Sequence, residues 1–316
     1  MKDLIVKNNN LIKGKFHFTL YQLRFISFMA SKISKDDIDF FTYSVKLHHL
    51  LDILEVERKH ISYLDGMLSE LISKIVVIAD NEEIISKTTI LSFFEINKKD
   101  NLVSFRFDSS MKPFLLQLKE NFTKISLEKI LSLNSIYSIR FYELLQTRIG
   151  LFEKYKNKNV LEFEIDLEEL KEMLLGDFNT RKNKIEIPKS YNRYSNFKQK
   201  ILEVAKEELK EKGDYYFEYK EIKTSGKKVS SLLFSIKKNK DKIKKDFREK
   251  KIQQIKNSSI KEIVKEQIKR IMERNNPKDK LKYEQALLQK YLRGELKFDR
   301  DLQEIIDKKI LEELKA

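Results

Sequence analysis

The feature that most constrains the fold is an internal repeat. TYSVKLHHLLDIL (42–54) and EFEIDLEELKEML (162–174) superpose without a gap, with Tyr43 falling on Phe163, a shift of 120 residues. Val45 then falls on Ile165, Leu47 on Leu167, Leu50 on Leu170, Ile53 on Met173 and Leu54 on Leu174. Each segment begins with strand-like alternation and switches to helical spacing, so each reads as a short strand running directly into an amphipathic helix. In the second copy Asp166 and Glu169 have capping-box spacing. Helical periodicity alone aligns a few apolar positions; alignment across the change of period is a stronger constraint.

The flanks repeat as well. A longer apolar helix precedes each copy, at 19–33 and 134–154, and a further helix follows, at 60–74 and 195–212. Each half then ends in strands. The first has KIVVIA, TTILSFFEIN and NLVSFRFD, with NKKDN as a turn; the second has YYFEYKEIK and KVSSLLFSI, joined through TSGKK, where Gly226 suits a hairpin. Helix, strand, helix, helix, hairpin is the order of a winged helix. The expected fold is α+β: two tandem winged-helix domains, each a helix-turn-helix plus a β-wing, with a helical C-terminal tail. The boundaries read as 1–120 for the first domain, 121–133 for a helical connector, 134–238 for the second and 239–316 for a basic tail. The tail carries 23 Lys+Arg against 15 Asp+Glu. Linker character is expected over 239–258. A helix should open at the capping box of Ser259 and Glu262 and end at the NNP of 275–277, with further helices near 278–293 and 299–315.

Composition narrows the function. Sixty-four Lys+Arg against 49 Asp+Glu give a net charge of +15, which points to a polyanionic partner. There is no cysteine, which excludes disulfides, thiolate zinc sites and cysteine nucleophiles. The N-terminus lacks the apolar core of a signal peptide, and no apolar run approaches the roughly 18 residues of a membrane span, so a cytoplasmic protein without membrane contact is expected. The seven glycines include no G-x-x-x-x-G-K-[ST], which excludes that phosphate-binding loop. The histidines are His17, His48, His49 and His60. A DNA-nicking metal site needs two histidines flanking one apolar residue, and the adjacent His48 and His49 face different sides of a helix. Asp36, Asp37 and Asp39 read as a solvated turn. No catalytic residue, metal or cofactor is expected, and binding is the better class.

The stretch YSNFKQKILEVAKEELKEKG (194–213) is where binding should lie. Phe197, Ile201, Val204, Ala205 and Leu209 form an apolar stripe. The far side shows Asn196, Gln199, Lys200, Glu203 and Lys206, with Arg193 and Tyr194 just before a cap-like Ser195. The second helix of a helix-turn-helix enters the major groove by its N-terminal residues. Asn196 and Gln199 suit adenine and Arg193 suits guanine, whereas Lys198, Lys200 and Lys206 suit phosphates. Lys223, Lys227 and Lys228 crown the hairpin as wing contacts. An ordinary surface helix with pairs such as Glu203 and Lys206 is the plainer reading of the spacing alone. In the first half, Arg58, Lys59, Ser62 and Tyr63 occupy the matching place, on a face poor in charge that suits weak DNA contact or a protein interface.

Three stretches resemble one known family, the plasmid replication initiators of the theta-replicating, iteron-binding type. NNNLIKGKFHFTLYQLRFISFMASKI resembles its opening. The most specific match is an S-x-Y-S-x-R-x-Y-E-L-L core, supplied by Ser135, Tyr137, Ser138, Arg140, Tyr142, Glu143 and Leu144. SYNRYSNFKQKILEVAKEELKEKGDYYFEYKEIKTSGKKVSSLLFSI resembles the second recognition helix and wing. The resemblance covers about 8–237 and leaves out the tail. It implies two winged-helix domains and a monomer that binds direct repeats at a plasmid origin. It further implies that the monomer opens an AT-rich segment and recruits host replication proteins such as the replicative helicase. A homodimer formed mainly through the first domain would bind an operator inverted repeat and repress its own gene. Base reading would fall on Arg193, Asn196 and Gln199. Relatives often carry consecutive arginines where this chain has Lys198, Gln199 and Lys200, so a different repeat is implied. The alternative is a winged-helix repressor without initiator activity. Arg140 fits a buried structural role as well as a DNA contact.

Overall fold

The computed structural model describes residues 4–34, 36–57, 61–80, 83–156, 161–224 and 228–275. Two compact units divide between Asn239 and Lys240.

The first half opens with β1 (Leu4–Asn8) and the single turn α1 (Asn9–Ile12), which Asn8 caps. Helix α2 (Leu20–Ala30) begins at a complete capping box, Thr19 accepting from the Gln22 N–H and Gln22 from the Thr19 N–H. Strand β2 (Tyr43–Lys46) runs straight into α3 (Leu47–Leu54), and α4 (Ile61–Ser73) follows. Next come β3 (Val76–Asp80), β4 (Ile85–Thr88), β5 (Leu91–Asn97) and β6 (Leu102–Phe107). The short helix α5 (Lys112–Leu115), β7 (Phe122–Ser126) and α6 (Leu127–Ser132) lead out of this half.

The second half repeats the plan. Helix α7 (Ile136–Tyr155) precedes β8 (Glu162–Asp166), which runs straight into α8 (Leu167–Leu175). A small hairpin, β9 (Asp177–Asn179) and β10 (Lys184–Glu186), leads to a long helix in three parts. These are α9 (Tyr194–Phe197), a π-turn at Lys198–Leu202, and α10 (Glu203–Lys212). The wing is β11 (Tyr215–Lys223) and β12 (Val229–Lys238). The other unit contains α11 (Lys240–Asn275).

The repeat carries through to the sheets. Their orders are β2-β6-β5 and β11-β12-β8, so in each half the short strand joins the later strand of the hairpin. Tyr43 stands opposite Phe105 and Val45 opposite Val103, while Phe163 stands opposite Phe234 and Ile165 opposite Leu232. Leu47, Leu50 and Leu54 are buried, as are Leu167, Leu170 and Leu174. Asp166 caps α8 by accepting from the Glu168 and Glu169 N–H groups. Aromatic rings fill the second core, Phe141 stacking on Phe217 at 4.8 Å and Phe163 on Phe234 at 5.4 Å.

Three segments differ from the sequence reading. The 121–133 connector is strand before it is helix: β7 pairs antiparallel with β1, Ile5 opposite Ile125. Its partner lies at the far end of the domain, where local periodicity carries no signal. The single strand expected over TTILSFFEIN breaks at Thr89 and Ile90, so that β4 pairs with β3 and β5 with β6. The linker expected at 239–258 is part of the continuous α11. Lys, Glu and Gln are good helix formers, and Lys242–Asp246 at 3.0 Å adds an i,i+4 pair, so the helix runs through the stretch expected to be a linker. The helices expected at 278–293 and 299–315 lie outside the described residues.

The two halves meet through buried charge. Lys7 of β1 donates to Glu143 of α7 at 2.6 Å, both side chains nearly inaccessible. Arg140 donates to the Gly14 and Met173 carbonyls at 2.8 and 3.0 Å and lies over the Phe16 ring. Its role in the structure is to join the halves.

Candidate nucleic-acid interface

The long helix of the second half is fixed at both ends. Near its C-terminal end Glu208 accepts from the Asn134 and Ser135 N–H groups at 2.7 and 3.1 Å, where α7 begins. Along its inner face Phe197, Ile201, Leu202, Ala205 and Leu209 are all fully buried. This face differs from the expected stripe: Leu202 is inside, and Val204 is 42% exposed. The π-turn is the reason. It spends an extra residue on one turn, so every position after it is rotated against a uniform 3.6-residue wheel.

The polar residues of the helix fall into two sets. Arg193, Ser195, Gln199 and Lys200 are exposed, and their side chains have no hydrogen-bond or ion-pair partner among the described residues. The others face inward. Asn196 donates to the Ser190 carbonyl at 2.7 Å. Lys198 and Tyr194 both donate to Glu221 Oε1 on β11, at 2.8 and 2.9 Å. Tyr219 donates to Glu203, and Lys206 pairs with Glu218 at 2.7 Å. The Lys198 ammonium holds the Glu221 carboxyl below the usual carboxylate range against the opposing effect of burial, and the Tyr194 hydroxyl adds to it. Burial and the Glu221 carboxylate push the Tyr194 hydroxyl up. The bond to Glu218 raises Lys206.

Of the residues expected to touch DNA, the structure thus leaves Arg193, Ser195, Gln199 and Lys200 free and binds Tyr194, Asn196, Lys198 and Lys206 to the protein. Lys223 and Lys228 are exposed at the wing, and Lys227 lies outside the described residues. A register shift at Ile222 and Lys223 bulges β11 just before the wing tip. Glu221 is close to that bulge and bonded to the start of the helix, so helix N-terminus and wing form one edge. Sequence reasoning missed Glu218, Tyr219 and Glu221. Their only signal was a strand with carboxylates at positions that sit over a basic helix.

The matching helix of the first half, α4, exposes Ser62, Tyr63, Asp65, Gly66, Ser69 and Glu70. Tyr63 packs edge-on against Tyr21 at 5.6 Å, and burial raises its hydroxyl pKa. Arg58 and Lys59 lie outside the described residues. The described face carries carboxylates and no cation, which disfavours phosphate contact. No helix among the described residues is long and apolar enough to cross a membrane.

Residues 4–146 match the family described as initiator replication protein, WH1, and residues 166–236 match initiator Rep protein, WH2. No curated protein matches the chain. Among solved structures, the chain is similar to the Pi initiator protein, whose crystal structure is of a complex with iteron DNA. The identity is 20% and the TM-score 0.57, over 76% of this chain and 98% of that one.

Proposed function

The chain belongs to the family of initiator replication proteins and carries both of its winged-helix domains, and on that premise we propose that it initiates plasmid replication by reading direct repeats at the origin through its second half. The observation that carries this reading is the free set Arg193, Ser195, Gln199 and Lys200 at the N-terminal end of the second half's long helix, beside the exposed wing lysines Lys223 and Lys228. Arg and Gln suit base edges, and lysines suit phosphates. The Pi initiator's binding of iteron DNA lends the same direction. The protein acts in the cytoplasm by binding rather than by catalysis, needing no cofactor.

In this reading the domains divide as 1–120 and 134–238, joined through 121–133. The monomer occupies the repeats, helps to open adjoining DNA and recruits host replication proteins such as the replicative helicase. A homodimer, made through the first domain, binds an operator inverted repeat and represses its own gene. A groove of about 1090 Å3 on the first half supports the dimer. Leu4, Val6, Leu118 and Phe122 line it, with Asp36 and the pair Lys119 and Lys124 also in its wall. Such a surface carries both signs of charge and can face its own copy across a two-fold axis.

Fluorescence anisotropy with the DNA flanking the gene, against scrambled DNA across a salt series, tests base reading. Arg193→Ala and Gln199→Ala should each cost about 1–3 kcal/mol on repeat DNA and little on scrambled DNA. Equal, steeply salt-dependent binding of both DNAs by the unaltered protein would defeat the proposal, leaving charge alone as the cause.

A further inference from the structure

The residues that hold the reading helix are as informative as those it leaves free. Four polar contacts tie the helix to β11, and they bracket the π-turn. Tyr194 and Lys198, at its entry, donate to Glu221; Glu203, directly after it, accepts from Tyr219; Lys206, one turn on, pairs with Glu218. The middle of the turn, Gln199 and Lys200, is exposed. Glu221 receives both contacts on the DNA-facing side of the bracket, through one oxygen, and its strand bulges at the next step of the ladder.

Two consequences follow from elementary electrostatics and geometry. A lysine whose ammonium is 2.8 Å from a carboxylate has its charge largely compensated, so it adds little to the release of counterions from DNA. A helix start held by two donors on one carboxylate has its angle and its rotation set relative to the wing, which decides where Gln199 and Arg193 meet base edges. We propose that Glu221 is a positioning residue for sequence reading, and that Lys198 is its counter-ion rather than a phosphate contact. This rests on the base-reading function proposed above and assigns that function's precision to a carboxylate, a group expected to weaken DNA binding if it acted only through its charge.

The test uses the full chain, repeat and scrambled DNA, and the slope of log affinity against log salt. Lys200→Gln should lower the slope on either DNA by about 0.9, the value for one phosphate contact, whereas Lys198→Gln should leave it unchanged. Glu221→Ala should free the ammonium. Affinity for scrambled DNA then rises, the slope steepens by about 0.9, and the repeat-to-scrambled ratio falls about tenfold. Adding Lys198→Gln to Glu221→Ala should return the slope but not the ratio. Glu221→Gln, which keeps an acceptor for Tyr194 and folds without a new cavity, should hold the ratio within about threefold. Glu211→Ala, the loss of an exposed carboxylate from the same helix, should leave the ratio unchanged. A fall of about 0.9 for Lys198→Gln would make that lysine a phosphate contact and overturn the proposal. So would an unchanged ratio in Glu221→Ala. If the unaltered protein fails to distinguish the two DNAs, base reading falls instead, and the Lys198 and Lys200 slopes on scrambled DNA still decide the role of Lys198.

Discussion

Lys7 and Lys15 show how burial decides what an ion pair is worth. Both pair with a glutamate of the second half, Lys7 with Glu143 at 2.6 Å and Lys15 with Glu172 at 2.5 Å. The Lys7 and Glu143 side chains are 6% and 3% exposed; those of Lys15 and Glu172 are 31% and 40% exposed. Water screens the second pair and its loss is nearly neutral, whereas removing Lys7 strands a carboxylate in the interior. Arg140 Nη1, at 3.7 Å from Glu143, compensates only in part. Lys7→Met should therefore cost about 3 kcal/mol of stability, and Lys15→Ala less than about 1 kcal/mol. Urea denaturation of the two variants checks this; equal shifts in midpoint would mean that the interior carboxylate finds another partner.

Among the elements, the β1–β7 ribbon departs furthest from a simple pattern. Its inner face, Ile5, Lys7, Thr123 and Ile125, is buried. Its outer face carries Leu4, Val6 and Phe122, and Leu4 remains 53% exposed. A two-stranded ribbon normally shows polar residues to water on one side. Apolar side chains on that outer face, beside the exposed Lys124, fit a surface that is covered in another state. In the proposed dimer, that cover is a second copy. Val6→Asp should hold the protein as a monomer in sedimentation velocity at concentrations where the unaltered chain dimerises, while leaving binding to direct repeats intact. Unchanged dimerisation would move the contact to another face.

For the molecule as a whole, His17 reports on the junction of the halves. Burial first, then the Lys74 ammonium and the Arg140 guanidinium, hold its pKa below the usual 6.5, while Asp177 and Glu70 act in the opposite sense. Lys74 also approaches Asp177 of the second half at 3.8 Å. A depressed pKa means that the folded chain binds its proton less readily than the unfolded chain. The associated stability is complete above about pH 6.5 and is lost as the pH falls through that value towards the folded pKa. The urea midpoint should thus drop between about pH 7.5 and about pH 5.5, and His17→Gln should flatten that drop. An identical drop in the variant would place the titrating group elsewhere.

Local order was written in the sequence. The offset repeat of Tyr43 on Phe163 predicted two strand-to-helix units, and the structure puts both in matching sheets, because alternation and helical spacing depend only on neighbours along the chain. The exposure of Arg193, Gln199 and Lys200 was legible in the same way, each near enough to the helix start to be placed by counting. Tertiary structure decided the rest. The π-turn moved Val204 out and Leu202 in, because a widened turn is fixed by what the helix leans on. The β1–β7 ribbon joins strands from opposite ends of a domain. Lys198 and Lys206 stand on the polar side of any helical wheel, and their ion pairs with Glu221 and Glu218 could not be read there, since a side chain's partner is set by which strand the fold lays beside it.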